Sequence, residues 1–154
     1  LFNWLMPVID GARCLDLYAG TGALGIEAIS RGAREVVMVE RDAQLAAALR
    51  AQLARLKVTE ANVVGDDAAR YLDGPPSPFD VVFLDPPFRQ NAVPELLARL
   101  PPVLRPQARI YVESGAPVDA LAPWTELKRR RAGQVSYQLL RWDGHDPGGI
   151  SGNL

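Results

Sequence analysis

The segment from Asp85 to Phe88 contains residue types that could hold a flat amino group during a reaction. It has the sequence Asp-Pro-Pro-Phe and directly follows the apolar run 81–84. Consecutive prolines fix the backbone and remove two N–H donors, so carbonyl oxygens remain as acceptors in a rigid loop. An exocyclic base amine needs acceptors for its two N–H groups before its nitrogen can attack an electrophile.

We therefore predict a catalytic loop made of Asp85, Pro86, Pro87 and Phe88. Asp85 and the carbonyl of Pro86 would accept from the amine, and Phe88 would stack on the base, an interaction worth about 1–3 kcal/mol. The alternative is an ordinary strand-to-loop turn with a buried phenylalanine. Pro75-Pro76 and Pro101-Pro102 show that proline pairs also occur elsewhere in this chain, but neither pair follows a carboxylate at a strand end.

A second segment, from Asp16 to Gly25, is typical of a nucleotide-binding turn. Gly20, Gly22 and Gly25 have the spacing G-x-G-x-x-G. The first two allow a sharp turn close to a ligand, and the third lets the following helix pack closely. A carboxylate at Asp16 would repel a pyrophosphate but attract an ammonium group. We therefore predict an amino-acid nucleoside rather than NAD; a tight turn without a ligand is the alternative.

Acidic residues at two further positions could hold other parts of such a ligand. Glu40 lies twenty residues after Gly20, where a carboxylate can accept from ribose hydroxyls. It could instead pair with Arg41 or cap the next helix, although Asp42 is better placed for that cap. In the segment 65–68, a carboxylate could accept from the adenine amine while Ala68 leaves room for the ring. Asp67 could equally serve as a helix N-cap.

Alternating strands and helices must position these segments. Apolar and β-branched runs predict strands at 13–18, 35–39, 62–64, 79–84, 108–113, 125–130 and 135–141. Helical spacing predicts helices at 23–30, 43–56, 67–72 and 92–100, preceded by a helix at 1–6 that ends before Pro7. This order predicts a doubly wound α/β fold with a mainly parallel sheet. Ligands bind at the carboxyl ends of such strands, where all four segments would lie.

Length and composition predict one globular domain, 1–154, with a flexible glycine-rich tail at 143–154 and a natural N-terminal segment that is missing. Apolar runs are far shorter than the roughly 20 residues of a membrane span, and no secretory signal is visible, so we expect a cytoplasmic protein without membrane contact. Cys14 is the only cysteine and His145 the only histidine. No metal site is therefore predicted, and Cys14 is interpreted as a small buried apolar residue.

The net charge of −1 means that a nucleic-acid partner would need a local basic patch. Lys128-Arg129-Arg130-Arg131 is the densest basic run, and Arg89 is next to Phe88. Both could contact phosphates. A run of this kind in a late strand is more often a solvated edge that prevents aggregation.

With these motifs identified, the chain resembles the RsmD family, bacterial methyltransferases that act on the N2 amine of a guanine in 16S ribosomal RNA. The resemblance is carried over nearly the whole chain by the segments 15–33 and 79–88, supported by 37–40, 67–68, 111–113 and 137–141. It implies a Rossmann-like class I methyltransferase fold, with a seven-stranded, mostly parallel sheet and an antiparallel last strand.

The same resemblance implies S-adenosylmethionine as methyl donor, S-adenosylhomocysteine as product and 16S RNA as partner, within the small ribosomal subunit or its assembly intermediate. We expect a monomer. The predicted cofactor contacts are Asp16, Tyr18, Gly20, Gly22, Gly25, Glu40, Arg41, Asp67, Ala68 and Asp85. Family members carry an arginine-rich segment ahead of the Leu-Phe-Asn-Trp-Leu sequence, with which this chain begins.

Other functions fit the same motifs. The nearest is the same chemistry on another amine, in a different RNA, in adenine or cytosine of DNA, or in a protein glutamine. An NAD-binding protein would use Glu40 for a ribose and leave Asp85 without a role. A nucleotide-binding module without activity is the third alternative.

Overall fold

The computed structural model describes residues 2–74, 78–87 and 92–144, and within these ranges the chain forms seven strands and five α-helices. The strands are β1 (Arg13–Asp16), β2 (Glu35–Val39), β3 (Ala61–Val64), β4 (Phe79–Leu84), β5 (Leu104–Ser114), β6 (Trp124–Ala132) and β7 (Val135–Trp142). The helices are α1 (Phe2–Ile9), α2 (Ala23–Ser30), α3 (Ala43–Arg55), α4 (Ala68–Tyr71) and α5 (Val93–Arg99), with a 3-10 turn at Pro101–Val103. No helix in the described ranges has the length and apolar character needed to cross a bilayer.

All seven strands belong to one sheet, in the order β3-β2-β1-β4-β5-β7-β6. β7 runs antiparallel to β5 and β6, and the other neighbouring pairs are parallel. This confirms the predicted doubly wound sheet with an antiparallel last strand. The strand order reverses between β1 and β4, and ligands of such folds bind outside the carboxyl ends at this reversal. The turns that follow β1 and β4 are therefore neighbours.

Apolar side chains cover both faces of the sheet, which is why β1, β2 and β4 are nearly continuous apolar runs. One face, here called the α1 face, packs against α1, α2 and α3, and the other packs against α4 and α5. Cys14 is fully buried on the α1 face, as predicted for a small apolar side chain. Burial raises the pKa of its thiol to about 12, so the thiol stays protonated and unreactive.

The prediction that the first helix ends before Pro7 is wrong, because α1 continues through Pro7 to Ile9. A proline inside a helix costs about 3 kcal/mol, since it removes one backbone hydrogen bond and crowds the preceding turn. Ile9 is only 1% exposed and lies on the same buried stripe as Phe2 and Leu5. Burying such a side chain contributes about 1.5–3 kcal/mol, enough to offset most of that cost.

Strand β5 also differs from its prediction, because it begins at Leu104 rather than at Ala108. The pairing with β4 jumps from Phe79↔Leu104 to Val81↔Arg109. The predicted turn at 105–107 is therefore a bulge inside a longer strand, with Gln107 at a φ of 65°. Such a bulge keeps both ends of β5 paired while it absorbs the extra residues.

The last two strands are longer than predicted, and α4 is shorter. β6 is an edge strand, and all of its residues from Lys128 onward are exposed, as expected for a solvated edge. Asp143, the first residue of the predicted tail, accepts hydrogen bonds from Thr125 and Arg141. His145 and the rest of the tail lie outside the described residues.

Candidate active site

The turn between β1 and α2 has the backbone conformation for which its glycines are needed. Gly20 and Gly22 have φ values of 54° and 83°, in the left-handed region that other residues rarely adopt. A Cβ on Gly22 would lie 2.5 Å from the side chain of Leu49, so this position also requires the absence of a side chain. The Gly22 N–H donates to the carbonyl of Ala19 at 2.7 Å, which closes the turn before α2 begins.

Gly25 has a packing role rather than a place in the cavity described below. A Cβ at this position would lie 2.3 Å from the end of the Met38 side chain and 3.1 Å from Val36. Helix α2 therefore packs directly against β2 at Gly25. This agrees with the predicted close packing of helix and strand, and it holds the glycine turn at the sheet edge.

Glu40 connects the carboxyl end of β2 to the glycine turn. Its Oε1 accepts from the Gly20 N–H at 2.8 Å, and its Oε2 accepts from the Asp42 N–H at 2.9 Å. Asp42 caps α3 by accepting from the N–H groups of Gln44 and Leu45, as predicted. Each carboxylate oxygen of Glu40 can accept a further hydrogen bond, so the side chain can also bind a ligand's hydroxyl groups.

An open cavity of about 380 Å³ lies between the ends of β1, β2, β3 and β4. The predicted site residues that line it are Tyr18, Gly20, Glu40, Arg41, Asp67, Ala68, Asp85, Pro86 and Pro87. The structure therefore brings the glycine turn and the proline loop to one cavity. Phe88 and Arg89 lie outside the described residues.

Four residues that were not among the predicted cofactor contacts also line the cavity: Leu17, Val39, Leu45 and Asp66, the last of them within the predicted segment 65–68. Leu45 gives the clearest sequence signal, because it is 43% exposed and lies off the stripe formed by Ala46, Leu49 and Leu53, the buried side of α3. A single exposed apolar residue is common at protein surfaces, so it is the position of Leu45 in the cavity lining that gives it a role. Asp66 follows β3 directly, next to the predicted Asp67.

Asp67 is the N-cap of α4, one of the two roles that the sequence allowed for it. Its carboxylate accepts from the Arg70 N–H at 3.2 Å and caps α4. The preceding Asp66 accepts from the Asp67 N–H at 2.8 Å and lies 3.8 Å from the Arg70 guanidinium. Asp67 also faces the cavity, so capping and ligand binding are compatible.

Asp16 is 1% exposed and does not line the cavity, although the next two residues do. Its carboxylate accepts from the Tyr18 N–H at 3.3 Å. The pKa of Asp16 is raised to about 7, mainly by burial and also by the charges of Asp85 and Glu40, against the lowering effect of that hydrogen bond. A carboxyl group in this environment gains its charge most easily when a cation lies nearby.

Asp85 is half-buried and hydrogen-bonded to Glu113. The parallel pairing Leu84↔Val112 causes this contact, because the next residue of each strand is then Asp85 or Glu113. Glu113 Oε1 also accepts from the hydroxyl of Tyr111 at 2.7 Å. Burial raises the pKa of Asp85 to about 7, and the charge and hydrogen bond of Glu113 contribute. Glu113 was not predicted as a site residue.

The charges around the cavity favour a cationic ligand that donates hydrogen bonds. The cavity lining contains four carboxylate residues, Glu40, Asp66, Asp67 and Asp85, but only one cation, Arg41. A pyrophosphate would be repelled by this lining, so the geometry disfavours NAD. Among the described residues, no group of three or more His, Cys, Asp or Glu is arranged to hold a metal ion.

Together, the strand order and the paired loops after β1 and β4 define a Rossmann-like methyltransferase fold of class I. The family model described as conserved hypothetical protein 95 matches residues 1–141. The chain is 42% identical over 149 residues to the ribosomal RNA small subunit methyltransferase D of Haemophilus influenzae, covering 92% of this chain and 77% of that protein. This chain therefore belongs to the RsmD family.

Solved structures agree with this assignment. The Escherichia coli protein yhhF superposes with a TM-score of 0.88 at 40% identity, covering 94% of this chain and 82% of that chain. A more distant protein, SMU.776, was solved as a complex with SAH and has a TM-score of 0.74 at 16% identity. That alignment covers 90% of this chain and 47% of the other, and at this identity it supports the fold alone.

Proposed function

We propose that this protein transfers a methyl group from S-adenosylmethionine to the N2 amine of a guanine in 16S ribosomal RNA. One observation carries the proposal: the glycine turn after β1 and the Asp-Pro-Pro loop after β4 line the same cavity. The small-subunit RNA named for the Haemophilus influenzae relative supports the choice of substrate. The protein would act in the cytoplasm, as a monomer, on the small subunit or its assembly intermediate.

The lining residues fit the three parts of S-adenosylmethionine. Glu40 would accept from the ribose hydroxyls, and Asp66 or Asp67 would accept from the adenine amine above the small side chain of Ala68. Asp16 is buried and directly precedes the lining residues Leu17 and Tyr18 in the sequence. Its carboxylate would counter the charge of the ligand's ammonium group. Leu45 would cover an apolar side of the nucleoside.

The loop after β4 would orient the amine. When bound, S-adenosylmethionine supplies an electrophilic methyl group on a sulfonium. Asp85 and the Pro86 carbonyl would accept the two N–H groups of guanine N2, so that the nitrogen lone pair faces the methyl carbon. The amine nitrogen would form its new C–N bond with this methyl group as the bond from the methyl group to sulfur breaks and leaves its electron pair on sulfur, and Asp85 would take the surplus proton from N2. Holding the reactants in this geometry would supply much of the acceleration.

Radiolabelled methyl transfer tests the proposal directly. The protein is incubated with labelled S-adenosylmethionine and, separately, with small-subunit particles, free 16S RNA, DNA and protein; the labelled nucleoside is then identified. We expect label in N2-methylguanosine from 16S RNA. Label in adenine, cytosine or glutamine would replace the proposed substrate with one of the other amines. Binding of NAD without binding of S-adenosylhomocysteine would overturn the cofactor assignment.

A further inference from the structure

The carboxyl-end part of β6 carries the longest run of consecutive basic residues in the chain. Lys128, Arg129, Arg130 and Arg131, here called the basic segment, are all exposed, and Glu126 is the only carboxylate on the strand. The whole protein has a net charge of −1, and four of its 17 Lys and Arg residues are consecutive here. Consecutive like charges repel one another, and a polyanionic partner would remove that cost.

The strand register connects the basic segment to the proposed catalytic loop. Glu113 pairs with Tyr137 across β5 and β7, and Tyr137 pairs with Arg130 across β7 and β6. Glu113 is hydrogen-bonded to Asp85. Asp85, Glu113, Tyr137 and Arg130 therefore lie in one row across the sheet. Neighbouring positions in this row are about 4.8 Å apart, the usual spacing between strands. The cation lies at the same level of the sheet as the catalytic carboxylate, about 14 Å away.

The two cations of the segment that lie on the α1 face differ from their neighbours. Lys128 and Arg130 are opposite Leu139 and Tyr137, which pack on the α1 face, and directly opposite residues point to the same side of a sheet. Neither forms an ion pair with any residue in the ranges the structure describes. Arg129, on the other face, is paired with Glu126 at 2.9 Å. Arg131 forms no ion pair with a described residue but donates to the Gly133 carbonyl at 3.2 Å.

We propose that Lys128 and Arg130 bind phosphates of the RNA strand that carries the target base, and so define the path of that strand along the edge formed by β5, β7 and β6. The inference rests on the proposed function, since it assumes that Asp85 receives the base. The phosphate backbone is the RNA group that these cations would recognise, because point charges on long side chains bind phosphates without reading base sequence.

Protection of an exposed sheet edge also uses charged residues, lysine above all, but does not by itself require four consecutive cations. A mixture of lysine and glutamate would protect β6 and would avoid the repulsion among four cations. Edge protection also does not require the unpaired cations to lie at the level of the active site. Phosphate binding accounts for both the sign and the position.

The test compares two double variants that remove the same charge. K128Q/R130Q neutralises the proposed contacts, and R34Q/R55Q neutralises two exposed arginines outside the basic segment, before β2 and at the end of α3. Affinity for 16S RNA is measured by filter binding between 50 and 200 mM KCl. We expect K128Q/R130Q to bind on the order of tenfold more weakly at low salt, with a salt slope shallower by about 1.4 for two contacts on a single strand. The R34Q/R55Q variant should keep the wild-type slope.

Equal slopes for wild type and K128Q/R130Q would overturn the inference, as would aggregation of that variant with unchanged RNA affinity, which would assign the segment to edge protection. Methyl transfer separates this inference from the proposed function. If wild type methylates 16S RNA, K128Q/R130Q should raise KM for RNA and leave kcat close to wild type. If wild type transfers no methyl group but the variant loses RNA binding, the proposed function fails and the phosphate site stands.

Discussion

Asp85 and Glu113 form a hydrogen-bonded pair of carboxyl groups at the ends of neighbouring strands. Two carboxyl groups can hydrogen-bond directly only when one of them carries a proton. The hydroxyl of Tyr111 donates to the same carboxyl group of Glu113 at 2.7 Å. Asp16 on β1 adds a further carboxyl group that interacts with Asp85. The pKa of Asp85 is raised first by burial and then by Glu113 on the neighbouring strand.

Methyl transfer should decline in acid with a midpoint near neutral pH. The pKa of Asp85 is raised to about 7, first by burial and then by Glu113, and only the ionised carboxylate accepts two hydrogen bonds without donating one. Because the pKa is raised, the charged form is lost as pH falls through about 7. The measurement is kcat/KM against pH between 5 and 9.

Glu113→Gln should move this acid limb to lower pH. The amide removes a neighbouring negative charge and can donate a hydrogen bond to Asp85, and both effects favour the carboxylate. Glu27→Gln, on α2 and paired with Arg31, serves as the control and should leave the profile unchanged. If the acid limb of the pH profile stays in place in the Glu113→Gln variant, the carboxyl pair does not control the reaction.

Asp85→Ala should reduce methyl transfer by about 10²–10³-fold while S-adenosylhomocysteine binds nearly as in wild type. The variant loses an acceptor for the amine, and a single such hydrogen-bonding group contributes this much in other enzymes. Single-turnover transfer and titration calorimetry separate the two effects. A variant that methylated small-subunit RNA at the normal rate would refute the role of Asp85.

Glu40→Gln should weaken binding of S-adenosylhomocysteine by about tenfold or more and also lower stability. Both carboxylate oxygens of Glu40 accept from backbone N–H groups, of Gly20 and Asp42, at 2.8 and 2.9 Å. The amide nitrogen cannot accept, so one N–H loses its partner, at a cost of about 1–3 kcal/mol. Calorimetry and thermal unfolding measure the two consequences. Full affinity in the variant would mean that Glu40 serves the turn alone.

Local sequence signals were sufficient to predict those parts of the site whose structure depends on a single segment of the chain. The glycine turn, the cap at Asp42 and the loop after β4 depend on neighbouring residues, and the rule for parallel sheets then brings them to one edge. Contacts between strands were not visible, since the pair of Asp85 and Glu113 depends on the register of β4 and β5. The Tyr-Val-Glu sequence at 111–113 marked a family segment but gave no sign of a contact with Asp85.

The predicted boundaries of helices and strands were wrong where tertiary packing outweighs the local conformational preference of the residues. Proline predicts the end of a helix from backbone geometry alone, yet burial of Ile9 carries α1 past Pro7. The β5 bulge has the same origin, because Leu104 is fully buried and pairs with Phe79 before the chain departs at 105–107. Both errors concern how far an element extends, while its position along the chain was correct.

Asp16→Asn should make the protein more stable at pH 8 and weaken its affinity for S-adenosylmethionine. The carboxyl group of Asp16 is fully buried, and its pKa rises from 3.8 to about 7 on folding, with burial as the main cause. For an acid whose pKa is raised, the folded state is favoured at low pH and loses that advantage as pH rises through about 7. Ionising Asp16 in the folded protein therefore costs on the order of 4 kcal/mol above that pH, as an upper estimate.

An asparagine has nearly the same shape, can still accept from the Tyr18 N–H, and does not ionise. Urea unfolding at pH 5 and pH 8 should thus show a larger gain in the free energy of unfolding at pH 8, with the exposed Asp119→Asn as control. Calorimetry should show weaker binding of S-adenosylmethionine by the same variant, since the counter-charge for its ammonium group is gone. A variant that gained stability without losing affinity would show that Asp16 does not serve the ligand, and the buried charge would then have no functional explanation.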